Sequence, residues 1–132
     1  ANNKEINRFY SDSRISERAL REIYLKGFEI CVKKSQPLTI MTSYNIINGR
    51  RCCESYEQLQ GILRDEWDFN GMITTDWGVP CDQAVCVLAG NDIRMPYGQP
   101  DILTKALEEG RIQRGHLEIC AKRILEMILK LH

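Results

Sequence analysis

The stretch "GMITTDWG", residues 71–78, decides how the rest of the chain is read. A short run of apolar and β-branched residues climbs to an acid and stops at Trp77-Gly78. So short a run, closed by a turn signal, suits a buried strand better than a helix. Its last acid, Asp76, has two readings. After a strand, an Asp is ordinarily a turn or cap residue, because its side chain hydrogen-bonds nearby backbone. In a parallel sheet, the same position is also where ligands gather, at the carboxyl ends of strands.

The neighbouring segments say which kind of sheet this is. Residues 14–34 place Leu20, Ile23, Tyr24, Gly27, Phe28 and Cys31 on one face of a helix, with Ser16 as N-cap and Lys33 and Lys34 at the favourable end. Pro37 bars its continuation. "LTIMTSY", residues 38–44, reads as a second buried strand, and "NIINGRR" as a loop with an Asn-Gly turn. Residues 55–66 read as a helix with Ser55 as cap and Leu59, Ile62 and Leu63 inward. A short helix from Pro80 to Ala89 closes at Gly90, and "NDIRMP" reads as a third strand stopped by Pro96. Helices over 100–109 and 114–131 follow, the last with a stripe of Leu117, Ala121, Ile124, Ile128 and Leu131. Alternation of this kind predicts an α/β fold with a parallel sheet and outer helices.

Bulk properties narrow the function. The 132 residues suit one domain, residues 1–132, and 43% hydrophobic content gives it a core. Eighteen basic and 18 acidic side chains balance, so nothing points to nucleic acid or an anionic membrane. The apolar runs are too short to span a bilayer. The polar start lacks both a signal-peptide core and an initiator Met, so the chain is expected to be a piece of a longer protein. Six cysteines, at positions 31, 52, 53, 81, 86 and 120, show no C-x-x-C spacing, and the histidines are His116 and His132 alone. That pattern implies no metal or cofactor and favours a reducing, cytoplasmic compartment, although adjacent Cys52 and Cys53 are a possible redox pair. No glycine-rich phosphate loop occurs.

"MTSYNIING", then "LRDEWDFNGMITTDWG", then "AGNDIRMP" resemble glycoside hydrolase family 3, the β-glucosidase and β-xylosidase family. The opening "ANNKEINR" and the helix "ISERALREIYLKGFEICVK" are similar to segments of the same family, in the same order. The resemblance implies the later part of that family's N-terminal (β/α)8, TIM-like barrel, with about three of its parallel strands. It also implies a retaining β-glycosidase acting on a terminal β-linked glucoside or xyloside. In that reading Asp76 is the catalytic nucleophile, and Trp77, Tyr44, Met41 and Arg8 bind the sugar. The chemistry agrees. A nucleophilic carboxylate must stay ionised, so a rigid perch with a hydroxyl and a guanidinium nearby suits it. An indole offers a flat apolar platform.

Departures set further expectations. Thr75 stands where the family usually has Ser, Asp68 where Gly is common, and Arg94 where an acid is common. The family's Lys-His pair, its early sugar-binding Asp and the downstream domain that usually supplies the acid/base have no counterpart here. The chain alone is therefore expected to be inactive, to need the rest of the barrel and that domain as partners, and to self-associate through unpaired sheet. The competing reading is a non-catalytic sugar-binding or relic module. For single residues, Met41 reads equally as a core filler, Asp92 as a loop stabiliser, Asp65 and Glu66 as a solvated helix end, and both histidines as surface.

Overall fold

The computed structural model describes residues 5–131. Two small sheets and five helices make an α/β fold. Strand β1 (Asp12–Ser13) precedes helix α1, residues 17–35, whose second turn, Leu20–Tyr24, widens into π-helical form. Strands β2 (Thr39–Met41), β3 (Ile46–Ile47) and β4 (Arg50–Arg51) follow. Helix α2 (Glu57–Glu66) closes i→i+5 bonds and leads to β5 (Met72–Thr74). Helices α3 (Gln83–Ala89), α4 (Pro100–Glu108) and α5 (Arg114–Lys130) complete the chain.

The site depends on the pair β2–β5. These strands run parallel, with Thr39 opposite Met72, Ile40 opposite Ile73 and Met41 opposite Thr74. Ile93 joins β5 by a single parallel bridge at Thr74, so the expected third strand is one residue of pairing. The reason is local. Asp92 sends its side chain to the Ile73 amide and so takes the place of further ladder, and Pro96 bars extension.

Side chains alternate across this strip. Ile40 and Ile73 face a core made by Val32 of α1, Leu59, Ile62 and Leu63 of α2, Trp67, Phe69 and Ala89. Ile73 is fully buried and Phe69 nearly so, each contributing about 1.5–3 kcal/mol. Gly71 permits the approach: a Cβ there would lie 2.5 Å from the Leu38 carbonyl and 2.5 Å from the Phe69 ring. The opposite face stays open, with Met41 61% exposed, which removes it from the core-filler reading.

The two-sheet arrangement also corrects the loop expected at "NIINGRR". Ile46 pairs with Arg51 and Ile47 with Arg50 in an antiparallel hairpin. Asn48 and Gly49 both have positive φ, 51° and 84°, as a two-residue hairpin turn requires. The Asn48 amide then accepts from Ile15 N–H and donates to Ile15 C=O, both at 2.8 Å, and β1 pairs with β3. The hairpin thus holds the amino-terminal segment in place.

Two helix faces differ from expectation. On α1, Leu20 and Val32 are buried, whereas Ile23, Tyr24 and Phe28 are more than half exposed and Cys31 is exposed. On α5, Cys120 is buried and Leu117 and Ile124 are half-buried, but Ala121, Ile128 and Leu131 are exposed. Each helix is apolar over a wider arc than the sheet and its neighbours cover. The caps are as expected. Ser16 accepts from Ala19 N–H at 3.2 Å, Ser55 accepts from Gln58 N–H at 3.4 Å, and Gly90 ends α3.

Candidate active site

Asp76 sits two residues beyond β5, where the strand turns outward, and is half-buried. Its Oδ1 accepts from the Trp77 amide at 2.6 Å. Its perch is rigid because the flanking backbone is tied to the next segment. Thr75 N–H donates to Ile93 C=O at 2.9 Å, and Gly78 N–H donates to Met95 C=O at 3.1 Å. Thr75, where Ser is usual, is 1% exposed, and its hydroxyl accepts from Met95 N–H at 2.9 Å. A hydroxyl with one extra methyl performs that tie, so the departure is tolerated.

Tyr44 closes one side. It is buried at the end of the β2 segment, and its hydroxyl donates to the Trp77 carbonyl at 2.7 Å while lying within hydrogen-bonding reach of the Asp76 carboxylate. Burial, then the adjacent Asp76 charge, raise the phenol above its usual pKa, so it stays a neutral donor. The Arg8 guanidinium stacks 4.5 Å from the centre of the Tyr44 ring, and its Nη1 donates to the Glu5 carboxylate at 3.1 Å. Phe9 meets Tyr44 edge-on, with centroids 4.8 Å apart.

Met41, Trp77 and Asp76 share a cleft of about 440 Å³ on the open sheet face, with Met72, Thr74, Thr75, Ile93 and Met95 as its other walls. Among the described residues lining it, Asp76 is the single carboxylate. Trp77 is 62% exposed, so it is a surface wall and no core residue. Tyr44 flanks Asp76 from outside this cleft, and Arg8 lies on the Tyr44 ring. A larger groove of about 790 Å³ lies between α2 and α5, but it holds none of these groups.

Sequence reading missed Arg51. Its Nη1 donates to the carbonyls of Phe9 (3.0 Å) and Tyr44 (3.2 Å) and so clamps the Arg8 segment against the tyrosine. The one available signal was the basic pair just after Asn48-Gly49. Asp92 proved a larger stabiliser than a loop residue. Its side chain is fully buried between Arg64 (3.0 Å) and Arg123 (3.1 Å) and accepts from Ile73 N–H at 2.8 Å. Asp65 and Glu66 lie at the exposed end of α2, away from the cleft, and accept from Gln60 and Arg21. His116 is half-buried and caps α5, its Nδ1 accepting from Gln113 N–H at 3.0 Å; His132 and the first four residues of "ANNKEINR" lie outside the described residues.

An acid, a phenol and an indole gather beyond the carboxyl ends of the parallel strands of this α/β fold, the end at which such sheets commonly hold ligands. The glycosyl hydrolase family 3 N-terminal domain matches residues 8–127, and the chain belongs to that family of glycoside hydrolases. It is 51% identical to β-glucosidase A of Butyrivibrio fibrisolvens over 89% of this chain and 14% of the relative. It is 43% identical to an exo-α-(1→6)-L-arabinopyranosidase of Bifidobacterium breve over 98% of this chain and 17% of that protein. Its fold superposes on the family 3 β-glucosidase of Bifidobacterium adolescentis with a TM-score of 0.92 at 40% identity, covering 98% of this chain and 19% of that one. The chain therefore spans less than a fifth of the length of these proteins. Among the described residues, no helix is long and apolar enough to cross a membrane.

Proposed function

We propose that this chain is the nucleophile-bearing part of a (β/α)8 barrel in a retaining β-glycosidase of the β-glucosidase type. The observation that carries the reading is Asp76 on a rigid strand tip, beside the Tyr44 hydroxyl and at the edge of a cleft walled by Trp77 and Met41. The names of the relatives support it. In this mechanism the Asp76 carboxylate attacks the anomeric carbon as the glycosidic C–O bond breaks, and the leaving oxygen takes a proton from an acid about 5–5.5 Å from Asp76. Water then attacks the glycosyl-Asp76 ester, passing its proton to the same group. Tyr44 holds the nucleophile by hydrogen bonding, Trp77 and Met41 contact the sugar's apolar face, and Arg8 supplies hydrogen bonds to its hydroxyls.

The proton donor and the remaining barrel come from outside these residues. The isolated chain is therefore expected not to turn over an aryl β-glucoside. In the longer parent, a 2-fluoro-glucoside with a good leaving group should leave one sugar covalently attached to the peptide containing Asp76. Label on another carboxylate, or turnover undiminished by Asp76→Asn in the parent, would sink the assignment. The open β2–β5 face also supports self-association of the chain.

A further inference from the structure

The fold collects three cysteines that are scattered in sequence. Cys53 comes from the turn Cys52–Glu54, Cys81 from the loop after Asp76-Trp77-Gly78, and Cys86 from the second turn of α3. Their sulfurs all lie within 4.8 Å of one another. None is in a disulfide. We propose that Cys53, Cys81 and Cys86 form a binding site for one thiophilic divalent cation of the zinc and cadmium class, next to the glycosidase site but sharing no residue with it.

Size, charge and access all fit. Thiolates around zinc bond at about 2.3 Å, which sets them roughly 3.8 Å apart in tetrahedral geometry. Closing from the observed spacing needs side-chain adjustments of about an ångström or less. Three thiolates and a divalent ion leave one net negative charge, and the Arg94 guanidinium lies in hydrogen-bonding contact with Cys81 to balance it.

Cys53 and Cys86 are 0% and 1% exposed, packed with Tyr44, Val79 and Phe9, whereas Cys81 is half-exposed. The ion would enter on the Cys81 side, where water can supply a fourth ligand, and the apolar shell would shield the other two bonds from exchange. It would also staple the loop that follows Asp76 to the turn Cys52–Glu54.

The test is titration of the reduced, oxygen-protected chain with Cd2+ alone, followed by competition with Zn2+. Expected are a sulfur-to-cadmium ultraviolet band saturating at one ion per chain, protection of three of the six thiols from a thiol reagent, and a raised melting temperature. Cys81→Ser, at a half-exposed position that the fold tolerates, should weaken binding at least tenfold, and Cys31→Ser should leave it unchanged. Cys86→Ser should do as Cys81→Ser does, with circular dichroism to establish that it is folded. A band that persists at the same affinity in a folded Cys81→Ser variant overturns the proposal. So does the lack of saturation at one ion, or a chain whose only chemistry at these thiols is disulfide formation.

Discussion

Two acids lie against or just beyond strand β5 and live in opposite surroundings. Asp92 has a fully buried side chain, gripped by two arginines and a strand amide. Asp76 is half-buried, with a backbone amide, a phenol and an open cleft as company. One acid uses three hydrogen bonds to hold helices α2 and α5 to β5. The other keeps part of its carboxylate facing solvent. The fold therefore separates a structural acid from a chemical one by burial and partner count, not by residue type. The difference runs through the whole strip, whose Ile40–Ile73 face is packed and whose Met41–Thr74 face is open.

Breaking the structural acid should have the largest effect. Asp92→Ala leaves Arg64, which is 6% exposed, without its counter-charge. Burial already disfavours that guanidinium, with Arg123 adding repulsion, and Asp92 is what opposes both. Loss of one member of a buried ionic group costs about 3–5 kcal/mol, so urea unfolding should show a destabilisation of that size or a chain that no longer folds. Asp76→Asn should shift the same curve by less than about 1 kcal/mol. Equal losses from the two substitutions would mean that Asp76 is structural too.

Tyr44→Phe sharpens the comparison at the next level. It removes one hydrogen bond, to the Trp77 carbonyl, and one polar neighbour of Asp76, while the ring keeps its contact with Phe9. A hydrogen bond of this kind contributes about 0.5–1.5 kcal/mol. Denaturation of the chain should record that modest change. In the longer parent, the substitution should lower kcat much more than it raises KM. A change in KM alone would make Tyr44 a wall of the pocket and no more.

The contrast also explains what could be read from sequence. The strand at 72–74, helix α2 and its Ser55 cap, and the Gly90 stop follow from local periodicity and turn chemistry. Asp76, Trp77, Tyr44 and Arg8 were legible as motif positions; the fold puts Tyr44 against Asp76 and Trp77, and Arg8 against the Tyr44 ring. Asp92 was not legible as an ionic centre, because its arginines lie 28 and 31 residues away in the chain. The cysteine cluster was hidden for the same reason: Cys53 and Cys81 meet only after α2 and β5 have folded between them. Strands β3 and β4, of two residues each, are too short for alternation to mark them. The apolar arc of α1 was visible, but which part is covered depends on neighbours, and Ile23, Tyr24 and Phe28 face outward.

The open face gives a smaller effect on stability and a clearer one on association. Met41 and Trp77 are both more than half exposed, so Met41→Ser combined with Trp77→Ser should move unfolding by no more than about 0.5 kcal/mol per site. If copies of the chain meet through this face, sedimentation at high concentration should show the double variant shifted toward monomer relative to the parent chain. An unchanged distribution would move the contact to another surface, such as the exposed apolar side chains of α1 or α5.

The smallest effect expected repeats the Asp92 arrangement at the surface. Glu29 also receives two cations, Lys26 at 2.8 Å and Lys33 at 2.9 Å, but on an exposed helix face. Hydrogen bonds from Lys26 and then Lys33 lower its carboxyl from 4.5 to about 2. A depressed carboxyl contributes its stability above the unfolded value and loses it as pH falls through the folded one, so the window runs from 4.5 down to about 2. Solvent and salt screen such a pair, and its contribution shrinks further above physiological ionic strength. Glu29→Gln should therefore lower the melting temperature slightly at neutral pH and flatten the acid side of the profile inside that window. At high salt the two profiles should merge. If the difference survived high salt, the lysines would be acting on Glu29 as a buried pair does on Asp92, and the distinction drawn from burial would fail at its weakest point.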